Sequence, residues 1–272
     1  MTDLAVIILQ KNEALHIRRC LEKLKPLEPR QVFVVDCLST DGSDKIAKEM
    51  GVTVVYHEWP GNQAAQFNWA LDNLPIEAEW ILRLDADEYL YGNTIEELKG
   101  LLPQMAEGRF MGGTLSPDVT SLSLFRKLRF QQHEIRWGGR AIELVRVFRR
   151  GLGRSTQSEM DEHIVTSSGR NQRLAGKFVD DSLISFGQWQ EKHRNYAQRE
   201  ARMAVEGREN KTKRLYYRLP PYLRAFAYFC YRYFLRLGFL DGRAGWRWHF
   251  WQGFWYRCLV DKKIGEMKSL KV

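Results

Sequence analysis

Four short apolar runs alternate with helix-forming stretches at the start of this chain: LAVIIL (Leu4 to Leu9), QVFVVD (Gln31 to Asp36), TVVYH (Thr53 to His57) and WILRL (Trp80 to Leu84). Each has the length of a strand and is nearly continuous in apolar character, as strands covered on both faces are. Between them, Leu15, Ile17, Leu21 and Leu24 line part of one helix face. Asp44 to Met50 is short and helical behind the break Ser39-Thr40-Asp41-Gly42-Ser43, and Asn62 to Asn73 presents Ala65, Trp69 and Leu71 for packing. Such alternation predicts an α/β fold, a Rossmann-like parallel sheet with helices on its faces.

After Glu88 the pattern changes. Thr94 to Leu102 reads as a helix, and Ser121 to Phe130 and Glu143 to Phe148 read as strands around a Gly138-Gly139 turn, so this half is mixed rather than doubly wound. Gln188 to Glu206 is a strong helix former. Leu219 to Leu240 and Trp246 to Val260 are aromatic-rich helical segments, split by Asp241-Gly242 and Gly245.

The chain has 272 residues, 44% apolar and 28% charged, which suits one large domain or a domain with an appendage and excludes wholesale disorder. Cys20, Cys37, Cys230 and Cys258 are scattered with no zinc-like spacing, which points to a reduced cytosolic setting. The first apolar run is too short for a signal h-region, so the mature protein is expected to start near Met1. Arg224, Arg232 and Arg236 interrupt the most apolar region, and no conventional transmembrane helix is expected.

Ligands of parallel α/β sheets sit beyond the carboxyl ends of the strands. Here those ends run into Lys11-Asn12-Glu13, into Asp36 and Asp41, and into Asp85, Asp87 and Glu88. Carboxylates gathered on one edge repel unless a cation or donors share the site, and a divalent metal completed by a phosphate-bearing substrate resolves the conflict. Taken singly the pieces are ambiguous. Asp41 suits a helix N-cap as well as a nucleotide contact, and Asn12 and Glu13 suit the first turn of a helix. Asp36 at a buried edge needs a partner.

The ordered motifs KNEALHIRRCLEKL, VVDCLSTDGS, GNQAAQFNWAL and LRLDADEYL, followed by GGRAIELVRVFRR, MDEHI, WQEKHRNYAQREA and GFLDGRAGWRWHFWQGFWYR, together resemble the inverting family 2 glycosyltransferases of GT-A fold. The bacterial lipopolysaccharide-core and exopolysaccharide branch is the most similar. The resemblance covers nearly the whole chain and implies a metal-dependent transfer of a hexose from a nucleotide-sugar, by default a UDP-sugar. The implied acceptor is a lipid-linked saccharide in cell-surface polysaccharide or lipopolysaccharide synthesis. It implies that Asn12, Glu13, Asp36 and Asp41 hold the nucleoside, and that Asp85 and Asp87 bracket the ribose and a diphosphate bound to Mg2+ or Mn2+, Asp87 as direct ligand. The general base is then sought in MDEHI, with Glu162 favoured and Asp161 second, and with His163 a further metal or diphosphate ligand. Trp189, Lys192, His193 and Tyr196 share one helix face and serve either packing or acceptor and diphosphate binding. Arg136, Trp137 and Arg140 either line the acceptor cleft or form an exposed turn.

Residues 211–272 hold 14 Lys/Arg against 3 Asp/Glu and 17 of the 34 aromatics, so the basicity resides in the tail. Arg224, Arg232 and Arg236 fall within about a third of a helical turn of one another, and Trp246, Trp248, Trp251 and Trp255 continue the mixture of cation and aromatic. An anionic membrane surface accounts for both. The expected organisation is a catalytic domain over 1–210, its nucleotide half about 1–90 and its acceptor half about 91–210, with an amphipathic helical membrane-associating region over 211–272. The expected location is peripheral, on the cytoplasmic side of the bacterial inner membrane. Two other functions compete: transfer to a polyprenyl phosphate, and nucleic-acid binding by the basic aromatic tail. The tail's helical spacing and lack of a nucleic-acid motif argue against the latter, and no nucleic-acid partner is expected.

Overall fold

The computed structural model describes residues 1–106, 118–139, 141–156, 162–207 and 215–269, without the side chains of 103–106. The chain divides into two compact units, Met1–Lys127 with Ala141–Ser182, and Leu128–Arg140 with Leu183–Val272.

In the first unit, strands β1 (Thr2–Gln10), β2 (Pro29–Asp36), β3 (Thr53–Tyr56) and β4 (Trp80–Asp85) lie parallel in the order β3-β2-β1-β4. They are joined through α1 (Ile17–Leu24), α2 (Ser43–Glu49) and α3 (Gln63–Asn73). Side chains alternate across a strand. Leu4, Val6 and Ile8 therefore pack with Ile17 and Leu21 of α1 on one face, while Ala5, Ile7 and Leu9 pack with Phe67 and Ala70 of α3 on the other. All four runs read from the sequence form strands in this way.

Beyond β4 the sheet continues with β8 (Glu143–Arg149), β6 (Val119–Phe130), β11 (Arg170–Asp181) and β5 (Glu88–Leu90). The β4–β8, β8–β6 and β11–β5 pairs are antiparallel, the mixed second half that the sequence predicts. β7 (His133–Ile135) pairs with the end of β6, and β9 (Gly153–Ser155) with β10 (Ile164–Thr166). The helix expected over Thr94 to Leu102 is α4 (Gly92–Ala106). β11 is too polar for its sequence to announce it, yet it buries Leu174, Gly176 and Phe178 on alternate residues. A Cβ on Gly176 would lie 2.7 Å from the Thr94 backbone, so glycine permits α4 to approach this closely.

The second unit is built on α5 (Phe186–Glu206), whose Ser185 and Gln188 form a capping box. Its Ala197 and Ala201 receive Tyr256, Val260 and Ile264 of the last helix, Tyr256–Ser269. The division between units thus falls after Ser182, whereas the sequence placed it near 210, because α5 packs its small-residue face against the tail. The tail is also more broken than expected. It runs through α6 (Leu223–Cys230), a π-helical turn Tyr231–Leu235, a 3-10 turn Gly238–Asp241, α7 (Gly242–Trp248), a π-helical His249–Trp255 and then α8 (Tyr256–Ser269).

This path reverses part of the expected cationic face. Arg224 is buried and donates to Asp261 and to the Tyr217 and Leu219 carbonyls, and Arg232 is buried with Nε donating to the Gly138 carbonyl. Trp248 is buried against Phe130 and Trp189, and Trp251 and Trp255 are half-buried in the same cluster. A buried guanidinium needs its partners inside, so these residues hold the unit together instead of reaching a headgroup. Arg236 and Trp246 remain on the surface. Among the described residues, no helix is long and apolar enough to cross a membrane.

Candidate active site

Strand register brings the predicted acids to one edge of the first unit. Gln10 lies opposite Asp36 and Leu9 opposite Asp85, so β1, β2 and β4 end level with one another. Asp36 is fully buried, with Gln10 Nε2 donating to one oxygen at 2.7 Å and the Ser39 N–H to the other at 2.7 Å. The partner that its position demands is therefore internal, and Asp36 shapes the loop after β2. Asn12 Oδ1 accepts from the Thr40 N–H at 2.9 Å, while the Asn12 N–H donates to Ser39 at 2.8 Å. Asp41 accepts from the Ala14 N–H at 2.9 Å and from the Ser43 N–H and hydroxyl at 3.0 and 2.7 Å. Burial alone would raise the Asp41 carboxyl, but these donors outweigh it and hold it below the usual carboxylate range. Glu13 pairs with His16. The two loops are thereby stitched into one rim, and Asn12 and the exposed Leu38 stand in it at φ 57° and 56°, left-handed backbone that costs about 1–2 kcal/mol per residue outside glycine.

The second group centres on a residue that sequence reasoning passed over. Arg83, buried in β4, has Nη2 3.5 Å from Glu162 Oε2 and 3.8 Å from Asp85 Oδ1, and its guanidinium lies over the Phe67 ring. Glu162 also accepts from the Ala64 N–H in the first turn of α3, where the helix dipole favours an anion. Burial raises the Glu162 carboxyl above its ordinary value, Arg83 opposes that rise and Asp85 adds to it. Glu88 is buried, takes the Asp85 N–H at 3.0 Å and pairs with Arg146, while burial again pushes its carboxyl upward. Arg19 of α1 bridges the Asp87 carbonyl and Asp181. Arginines thus share the acidic edge.

The same edge fits a divalent cation held jointly with a ligand. Among the described residues, no group of three or more His, Cys, Asp or Glu could hold a metal by themselves. Mg2+ commonly takes only one or two protein carboxylates and completes its shell with water and substrate phosphates. Among the described residues Asp85 Oδ1 is buried without a hydrogen-bond partner, and Asp87 lies two residues on, so Asp85 and Asp87 would supply such a pair. His163 is exposed, and its backbone pairs with Thr156. Asp161 and Arg140 lie outside the described residues.

The residues expected near an acceptor belong to the second unit. Trp189 is buried between Phe186, His193 and Trp248, so packing is its role here. His193 stacks on Trp189 at 3.7 Å, and its Nδ1–H donates to the Trp189 carbonyl; burial lowers its pKa to about 4, which keeps the ring neutral near pH 7. Tyr196 is half-buried beside His193, and Lys192 is exposed. Arg136 and Trp137 are exposed on a turn whose N–H groups Asp241 accepts at 3.0 and 2.9 Å. At that turn a Cβ on Gly138 would fall 2.3 Å from the His249 ring.

One signal could have found Arg83: a lone cation inside WILRL, a strand otherwise apolar throughout, must meet an anion once buried. Gln10 carried the same signal at the end of β1. Glu88 and Arg146 pair 58 residues apart, a separation that no local pattern reveals.

The model of the family described as "Glycosyl transferase family 2" matches residues 5–144, just over half of the chain and the part that carries β1 to β4. An uncharacterised glycosyltransferase of Rickettsia felis is 32% identical over 111 residues, covering 41% of this chain and 38% of that protein. One from Rickettsia prowazekii is 30% identical over 111 residues, covering 41% and 37%. The chain therefore spans less than two-fifths of the length of these relatives. Among solved structures, the 1–349 fragment of TarS from S. aureus is 22% identical with a TM-score of 0.34, over 47% of this chain and 36% of that one, a likeness too slight to bear on function. On the match across β1 to β4 and their loops, the chain belongs to glycosyl transferase family 2.

Proposed function

We propose that the first unit transfers a hexose from a nucleotide-sugar, a UDP-sugar by default, to a hydroxyl of a lipid-linked saccharide with inversion at the anomeric carbon, at the cytoplasmic face of the bacterial inner membrane. The observation that carries this is the Asp85–Arg83–Glu162 arrangement, in which one buried cation stands between a carboxylate at the β4 edge and a second carboxylate of raised proton affinity. Glu162 takes the proton of the acceptor hydroxyl. The acceptor oxygen forms its bond to the anomeric carbon from the face opposite the diphosphate, and the nucleoside diphosphate leaves with the bonding pair. The rim of Asn12 and Asp41, shaped by Asp36, receives the nucleoside, and Asp85 and Asp87 are the residues that would hold Mg2+ or Mn2+. Such an ion, when bound, would supply neutralisation of the charge developing on the leaving group.

The test is a thermal-shift panel of UDP, GDP, CDP and dTDP, each with Mn2+, Mg2+ or chelator, since a ligand of the native state raises Tm by mass action. A metal-dependent rise with one nucleotide is expected, and no rise with any of them would refute the donor class. Glu162→Gln is then expected to keep that rise while transfer falls by roughly two to four orders of magnitude.

A further inference from the structure

With Arg224, Arg232 and Trp248 turned inward, the second unit leaves several large apolar side chains outside. Phe226, Phe234, Leu235 and Trp246 are 54%, 54%, 76% and 46% exposed, and Leu223 and Leu240 are exposed with them. The exposed rings are joined by a run of ring contacts, and Leu235 and Leu240 neighbour Phe234 and Phe239 in the chain. Phe226 contacts Phe254, which contacts Phe250, which stacks on Trp246. On the other side Phe254 meets Phe229, and the ring contacts run on through Phe234 and Tyr233 to Phe239. Exposed apolar area that is contiguous in this way marks a docking face, whereas scattered exposed leucines do not.

The charge around it selects the occupant. Between residues 215 and 260 the sole acid is Asp241, which is engaged by the Arg136 and Trp137 N–H groups. Arg218, Arg236, Arg243 and Arg247 are exposed over the same span. An apolar face built from a segment with four exposed arginines and one engaged acid matches an anionic lipid leaflet, with rings and leucines entering the acyl boundary and guanidinium groups meeting phosphates. Among the described residues no helix is both long and apolar enough to cross a bilayer, and the contact inferred here is a one-sided one.

We infer that the surface formed by α6, the turns Tyr231–Leu235 and Gly238–Asp241, and Trp246 is the membrane-docking face of the protein, and that its apolar side chains, rather than the buried arginines, carry the insertion. This rests on the membrane location proposed above and not on the transfer chemistry.

The experiment is flotation of the full chain with vesicles of phosphatidylcholine alone or with 30 mol% phosphatidylglycerol, at low salt and at 0.5 M NaCl. Wild type is expected to float with the anionic vesicles and to retain part of that binding in high salt, which screens charge but not apolar insertion. Leu235→Asp and Phe239→Asp are each expected to weaken partition by roughly tenfold or more. Val165→Asp, a charge placed on an exposed apolar residue of the first unit, serves as the control and leaves binding unchanged. Unaltered circular dichroism and nucleotide-dependent thermal shift in the Asp variants separate loss of docking from loss of folding or of donor binding. Absence of wild-type flotation overturns the inference, as does equal flotation of the Asp variants, which would make the attachment purely electrostatic. A lipid-free dimer dispersed by Leu235→Asp also overturns it by assigning the face to a second copy.

Discussion

Replacing Arg83 by Met takes away the cation that stands between Asp85 and Glu162 and leaves two carboxylates facing each other. Nη2 lies 3.5 Å from Glu162 and 3.8 Å from Asp85. Unit charges centred about 4.5 Å apart interact by roughly 4 kcal/mol at an effective dielectric near 20, and solvent at the edge together with sharing of the cation lowers this to about 1.5–3 kcal/mol. At 1.36 kcal/mol per pH unit the Glu162 carboxyl should rise by about one to two units beyond its already elevated value. The sign is fixed by the present balance, in which burial and Asp85 raise that carboxyl and Arg83 alone among the named charges lowers it. A general base works deprotonated, so the acid limb of kcat/KM reports its titration in the free enzyme and should move upward by the same amount. Arg83→Lys, which keeps the charge, should bring the limb most of the way back. The assay is nucleotide release from the donor fixed by the thermal-shift panel, followed from pH 5 to 9, with folding checked by circular dichroism. Stability should follow the same linkage. A carboxyl raised in the native state contributes fully below its unfolded value and loses that contribution as pH rises through the native one, so the variant should melt progressively earlier toward neutral pH. An acid limb that stays in place or moves down would refute Glu162 as the base or the role of Arg83 beside it.

Two further outcomes are expected. Asp87→Asn should abolish turnover and remove the metal-dependent part of the nucleotide thermal shift, and near-normal activity would dismiss Asp87 as a ligand. Glu200→Ala in α5 removes the acceptor of the Tyr217 and Tyr256 hydroxyls and of Arg257 Nη1. The loss should be about 3–5 kcal/mol by urea denaturation because it leaves a largely buried guanidinium uncompensated. A loss below about 1 kcal/mol would mean that Arg257 finds water instead.

How far the sequence reaches differs between the two units. β1 to β4 were legible because strands buried on both faces need unbroken apolar residues, and the helices between them need a 3.6 period and end signals. The acids were placed at one edge because parallel strands of similar length end together, as the register of Gln10 with Asp36 and of Leu9 with Asp85 does. β11 was not legible, since half of its residues face away from the core and its hydrogen bonds come from the backbone of strands far along the chain. Arg83 was visible as an anomaly but not as a bridge, because Glu162 is 79 residues away.

For the tail, composition could be read directly: cations, aromatics, very few acids and no apolar span long enough for a bilayer. Packing settled which of these lie outside. Helical periodicity groups residues onto one face by counting 100° per residue, but it does not say which face turns inward. Arg224 and Arg232 turn toward Asp261 and the Gly138 carbonyl while Phe234 and Leu235 turn away from the core. A charge is buried only where a partner from another part of the chain waits for it, and that partner is set by packing and not by its neighbours in sequence.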